Sequence, residues 1–174
     1  MLPFGELERC QDFLFRTMGR NDRVFVRPDS PLKLFTGQIV TRDTFAADLE
    51  FMSFYEFPRK SLVVVSSPKS IEAEWRFVVA NHRVVTGCQY KLQEKMDFRS
   101  EVDPAAFEFA STIAAAPYQP DPVWILDVCR TADKAYRLLE IGGFSFADLY
   151  ACSKAAIVDA VSEAALAEWR KGQK

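Results

Sequence analysis

The run Val123-Trp-Ile-Leu-Asp-Val-Cys-Arg-Thr-Ala-Asp-Lys-Ala-Tyr-Arg-Leu-Leu-Glu-Ile-Gly-Gly143 decides how the rest of the chain is read. Both flanks are rich in aliphatic residues and a short polar break, Thr131 to Lys134, separates them, which is the pattern of a β-hairpin. A two-residue turn centred on Asp133-Lys134 sets Asp127 directly opposite Glu140, thirteen residues on. Directly opposed side chains share a sheet face, with Cβ atoms about 4.5–5.5 Å apart. Two ionised carboxylates at that range repel, so one must protonate or a cation must sit between them. Paired oxygen ligands also suit a magnesium ion that carries substrate phosphates. The plain alternative is two unrelated acids on a solvated hairpin face.

The bulk composition narrows the classes. With 174 residues, 49% of them apolar, the chain can form one domain or two small subdomains with a real core. A net charge of −2 and no long basic run argue against a broad nucleic-acid surface. No apolar stretch is long enough to span a bilayer, and the N-terminus lacks the charged and apolar regions of a secretory signal. Cys10, Cys88, Cys129 and Cys152 are widely spaced, form no CxxC and are accompanied by the single His82, so a zinc site is not expected. They read as reduced, mostly buried thiols of a cytoplasmic protein.

Outward from the hairpin, the elements alternate. Phe4, Leu7, Phe13, Leu14 and Met18 recur at near-helical intervals and predict a helix over 3–18. Val24 to Pro28 is a strand, 29–37 a loop and 38–40 a returning strand, with Thr41 or Asp43 capping a helix over 44–53. Leu62-Val-Val-Val65 is a strand, and Glu74 to Val79 a second, with Glu74 and Arg76 on one face. Asn81-His82 turns the chain into a strand over 83–90, and Asp103-Pro104 opens a helix to about residue 116. Ser153 caps a last helix to about Trp169. Hairpin strands with interposed helices argue α+β.

Three elements resemble the ATP-grasp fold over about residues 23–152. The first is the hairpin, because the family places an acid before the turn and an acid-x-Asn after it. The second is Phe25-Val-Arg-Pro28, similar to the family's strand ending in Lys-Pro. The third is Leu62 to Phe77, similar to its hinge strand, short loop and following Glu. Arg27, Lys33 and Glu74-Trp-Arg76 together resemble one clade of the family, marked by two arginines and a lysine.

The resemblance implies two small subdomains with antiparallel sheets and packed helices around a nucleotide cleft. It divides the chain into a helical segment 1–22, a first subdomain 23–66 with a phosphate-covering loop, and a second subdomain 67–174 with the metal-binding hairpin and C-terminal helix. Arg27 and Lys33 would meet phosphates, with Gly37 allowing close backbone approach. The backbone of Val65 and Ser66 would meet adenine, Glu74 the ribose hydroxyls, Arg76 a phosphate or acyl-phosphate, and Asp127 and Glu140 the magnesium. The implied reaction uses ATP and Mg2+ to activate a carboxylate as an acyl-phosphate that an amine then attacks, with Arg27 and Arg76 as its catalytic cations. A regulatory module that only binds nucleotide, and an RNA- or nucleotide-modifying factor, are the other readings. Two departures bear on the choice. Gly142 stands where the family has Asn, and 22 residues precede Arg23 where the family has an N-terminal domain. The latter leaves a natural minimal form, a fragment, or one half of an enzyme in which a homodimer or a partner protein supplies that domain. The plain alternatives are a strand-end surface arginine for Arg27 and a surface Arg76–Glu74 pair.

Overall fold

A computed structural model describes residues 1–30 and 34–173 and divides the chain into two units, Met1–Lys69 and Ser70–Lys174. The first contains β1 (Leu2–Pro3), α1 (Gln11–Thr17), β2 (Arg23–Pro28), β3 (Gln38–Thr41), α2 (Phe45–Ser53) and β4 (Leu62–Ser66). Its sheet runs β1-β4-β2-β3, with every neighbour antiparallel. Alternation along the strands buries Val24, Val26, Val63 and Val65 against Phe15, Phe45, Leu49 and Met52, and leaves Arg23 and Arg27 exposed.

Two expectations for this unit change. The helix predicted over 3–18 forms only at Gln11–Thr17, because the backbone before it is engaged elsewhere. Leu2 and Pro3 pair with Val63 and Leu62, while Phe4 N–H donates to the Ser61 carbonyl (2.9 Å) and Gly5 N–H to that of Arg59 (2.8 Å). The chain is thus extended at Leu2–Pro3 and makes a 3-10 turn at Phe4–Glu6 before α1, with Phe4 and Leu7 still buried. Thr44, not Thr41 or Asp43, precedes the first residue of α2. Thr41 instead accepts the Thr44 N–H (3.2 Å) and closes the turn before the helix.

The second unit contains β5 (Ile71–Ala80), β6 (Arg83–Leu92), β7 (Lys95–Arg99), α3 (Pro104–Ala114), β8 (Val123–Thr131), β9 (Tyr136–Gly143) and α4 (Lys154–Lys171). Its antiparallel sheet is ordered β7-β6-β5-β8-β9. Asp103 caps α3 by accepting the Ala105 N–H (2.9 Å), and Ser153 caps α4 by accepting that of Ala156 (3.4 Å). Ala106, Ala110 and Ala114 recur every four residues and let α3 lie close over Trp75, Phe77, Trp124 and Leu126. On the other face, Ile157 and Ala164 of α4 cover Val78, Ala80, Val123 and Ile125. The result is α+β, with two antiparallel sheets and helices packed on them. Among the described residues no helix is long and apolar enough to cross a membrane.

Candidate nucleotide and metal site

Asp127 and Glu140 do lie directly opposite each other in β8 and β9. The two-residue turn that predicts this pairing is not what forms. Three residues, Ala132 to Lys134, carry the turn, with Lys134 at φ 64° and Thr131 N–H donating to the Ala135 carbonyl (3.0 Å). That loop offsets the register by one, so that Val128 faces Leu138. A bulge between Asp127 and Val128 then restores the offset and returns Glu140 to Asp127.

The register extends across four strands as Cys88, Arg76, Asp127 and Glu140. Asp127 is paired with a cation of the protein itself, Arg76, in the next strand on the side away from Glu140. Its Nε donates to Asp127 Oδ1 (2.9 Å), its Nη2 to Asp127 Oδ2 (2.7 Å) and its Nη1 to the Asp148 carbonyl (2.9 Å). The guanidinium also lies over the rings of Tyr150 (4.9 Å) and Tyr90 (5.5 Å). Asp127 is 2% exposed, whereas Glu140 is exposed on the edge strand. Burial, before any charge effect, pushes the Asp127 carboxyl above the usual carboxylate range. Arg76 opposes that rise, and Glu140 and Glu74 add to it. Burial by itself would weaken the Arg76 cation, but the Asp127 bonds and charge outweigh it and raise the Arg76 pKa further.

Glu74 shares this face and is 6% exposed. The surface pair of Arg76 with Glu74 does not form. Glu74 instead accepts the Tyr90 hydroxyl at Oε2 (2.5 Å) and the Lys91 ammonium at Oε1 (3.0 Å). Two irregularities in the β5–β6 pairing, at Val78/Val79 and Glu74/Trp75, bring Lys91 opposite Glu74. Tyr90 is the unpaired residue of the second, and its hydroxyl reaches the Glu74 carboxylate. Burial first, then the Asp127 charge and the Glu74 bond, raise the Tyr90 pKa.

In the first unit, Arg27 is exposed on β2 opposite Val64. A Cβ on Gly37 would come within 2.9 Å of Arg27 Cβ and 2.8 Å of the Phe25 ring, so only glycine lets the returning loop pass Arg27 so closely. Asp29 N–H donates to the Leu62 carbonyl (3.0 Å), which makes that opposed pair a hydrogen-bonded one. Alternation then makes Val26–Val65 a non-hydrogen-bonded pair, and the Val65 N–H and C=O point away from β2. The Val65 side chain faces the core, while Ser66 is half-buried at the strand's end. Lys33 lies outside the described residues.

The donor chemistry of Asp127 and Glu140 fits magnesium. Both offer hard oxygens, and each Asp127 oxygen keeps a lone pair beyond the one Arg76 uses. No group of three or more metal-ligating side chains occurs among the described residues. A magnesium ion here would thus fill its remaining positions with water and phosphate oxygens, as that ion commonly does. Gly142 lies on the same face opposite Ile125, has no positive φ, and a Cβ there would sit 3.9 Å from Ile125 Cβ. Tyr90, Lys91 and Tyr150 are not legible as site residues in the sequence, nor is the role of the Asp148 carbonyl. Bulges and a tertiary loop, rather than spacing, bring them in.

The comparisons agree with this fold. D-cycloserine synthetase DcsG matches with a TM-score of 0.60 and 16% identity, over 94% of this chain and 62% of that one. The N5-carboxyaminoimidazole synthase from Aspergillus clavatus, in complex with ADP and 5-aminoimidazole ribonucleotide, matches at 0.56 and 15%, over 81% and 38%. The ATP-grasp ligase PsnB, complexed with minimal precursor, matches at 0.53 and 18%, over 81% and 47%. At these identities the likeness is one of fold, and this chain spans 38% to 62% of the length of those proteins. No curated protein matches the sequence significantly. The family model of the ATP-grasp domain, second family of the clade marked by two arginines and a lysine, matches residues 6–160, and the chain belongs to that family.

Proposed function

We propose that this chain binds ATP with magnesium and serves a ligase reaction in which a carboxylate becomes an acyl-phosphate and an amine attacks it. The observation that carries the reading is the row Arg76–Asp127–Glu140, a cation and two acids side by side on one sheet face. Membership of the ATP-grasp family and the ADP bound to the Aspergillus relative support a nucleotide ligand. Phosphoryl transfer asks for positioning and positive charge more than for a protein nucleophile, and this face has no histidine.

Each residue then has a defined task. Asp127 and Glu140 hold the metal, and Arg76 sits where it can pass from Asp127 to a phosphate oxygen or bridge both. Magnesium, when bound, would neutralise charge on the transferring phosphoryl group. Tyr90 and Lys91 fix the Glu74 carboxylate and leave it lone pairs for ribose hydroxyls. Val65 presents backbone N–H and C=O to the adenine edge, with Ser66 next to it. Arg27, with Lys33 beyond it in sequence, offers cations to the α- and β-phosphates.

A second reading, a nucleotide-binding module without turnover, has its own support. Both Asp127 oxygens are engaged by Arg76, and Gly142 brings no third metal donor. ADP release across a panel of carboxylates and amines, with and without magnesium, separates the two. Magnesium-dependent turnover with one pair supports the ligase. Saturable ATP binding with no ADP release across the panel supports the module.

A further inference from the structure

Two of the four cysteines meet beside Arg76. Cys88 on β6 faces Arg76 in the ladder, and Cys152 lies in the segment between β9 and α4. Their sulfurs are 3.3 Å apart, and the Cys152 thiol donates to Cys88 Sγ. Cys88 is fully buried, while Cys152 is 5% exposed. The Cys152 bond, more than any other effect, lowers the Cys88 pKa to about 7. Cys129 has no such neighbour among the described residues, and Cys10 belongs to the other unit.

The segment that Cys152 ends makes several contacts over the charged face. Its Asp148 carbonyl accepts from Arg76. Its Tyr150, at φ 45°, stacks on the rings of Tyr90 (5.1 Å) and Phe98 (5.2 Å). Hydrogen bonds, including Ser153 N–H to Thr86 Oγ1 (3.0 Å), ring contacts and the packing of Leu149, Ala151 and Cys152 near Cys88 and Val85 hold it in place, with no covalent link while the thiols are reduced.

We propose that Cys88 and Cys152 form a modification site, a dithiol that hydrogen peroxide converts to a disulfide, fixing the segment with Asp148 and Tyr150 onto β6. Peroxide is close to water in size and enters from the Cys152 side. The Cys88 thiolate attacks one peroxide oxygen and the O–O bond breaks. The departing hydroxide takes a proton to become water, leaving Cys88 as a sulfenic acid. Cys152 sulfur then attacks Cys88 Sγ. The S–S bond forms, the S–O bond breaks, and the leaving hydroxide takes the Cys152 proton as a second water. Two thiols are oxidised and one peroxide is reduced. The sulfurs close from 3.3 Å to the ~2.05 Å of a disulfide. This inference concerns the thiols and their segment and stands apart from the ATP reading.

The test treats the folded, full chain with a small excess of hydrogen peroxide and maps the thiols by mass spectrometry. The expected product has lost two hydrogens, carries a Cys88–Cys152 linked peptide and retains Cys129 as an alkylatable thiol. Its melting temperature rises by roughly 5 °C or more, and amide exchange across residues 147–152 slows. Cys152→Ser abolishes the link, and Cys129→Ser leaves it. Cys88 and Cys152 remaining alkylatable after Cys10 is fully oxidised would overturn the proposal. A link formed with unchanged amide exchange across 147–152 would overturn its claim on the segment.

Discussion

The two faces of the five-stranded sheet are built from the same strands and do opposite things. Toward α3, β5 and β8 present Trp75, Phe77, Val79, Trp124, Leu126 and Val128, and a charge enters at Arg130 near the end of β8, where it lies over Trp75 and pairs with Asp103 and Glu72. Toward α4 they present Val78, Ala80, Val123 and Ile125, and then, past the end of the helix cover, Glu74, Arg76 and Asp127. Alternation alone decides which face each residue joins. A fold needs only apolar residues at these positions, and buried ion pairs are weak contributors to stability. Packing thus accounts for the α3 face and does not account for the charged patch.

Arg76→Ala breaks the comparison hardest. It leaves Asp127 buried without its cation and is expected to cost about 3–5 kcal/mol in urea unfolding, together with loss of ATP binding. Arg76→Met combined with Asp127→Leu should recover most of that stability and none of the binding. A single-mutant cost near zero would mean that the pair is solvated and the patch is not a desolvated site. On the opposite face, Leu126→Ala should cost about 2–5 kcal/mol by opening a cavity. Its ATP affinity, measured on the folded protein, should equal the parent's. A matching drop in affinity would show that the two faces are not separable.

Smaller changes sharpen the same contrast. Tyr90→Phe keeps the ring stack on Tyr150 but removes the donor to buried Glu74, and should cost about 1–3 kcal/mol. If Glu74 serves the ribose, Tyr90→Phe also weakens adenosine more than inorganic triphosphate in competition titrations. Gly142→Asn should leave stability within about 0.5 kcal/mol, since φ there is not positive and the added Cβ makes an ordinary contact with Ile125. It should tighten magnesium in the presence of ATP, and calorimetry with and without nucleotide reads both effects.

Much of this architecture is legible in the sequence, because strand alternation and helix caps are local. The Asn81-His82 turn, the Asp103 and Ser153 caps and the opposition of Asp127 to Glu140 are as the residues predict, the last by way of a different turn. The illegible parts are non-local or irregular. A regular two-residue turn at Asn81-His82 would put Gln89, not Lys91, opposite Glu74, and it takes two irregularities to change that. The 127–140 pairing itself depends on a three-residue turn and a compensating bulge, neither of which has a sequence mark. Strand β7 goes unread because its turn uses Gln93 at φ 54° with no Gly, Asn or Asp to announce it. The partner of Arg76 is missed because β5 and β8 are far apart in sequence, so that only the sheet order brings Asp127 beside it.

The central claim is that Asp127 and Glu140 together hold magnesium on ATP. Calorimetric titration of magnesium-ATP into the parent, Asp127→Asn, Glu140→Gln and the double variant tests it most directly. Glu140→Gln is the cleanest arm, since Glu140 is exposed and has no ion pair among the described residues. The account predicts a loss of about tenfold or more for each single variant, together with a double variant little worse than either, because each change spoils the same site. Parent-like binding by Glu140→Gln, or losses in the two single variants that simply add, would contradict it.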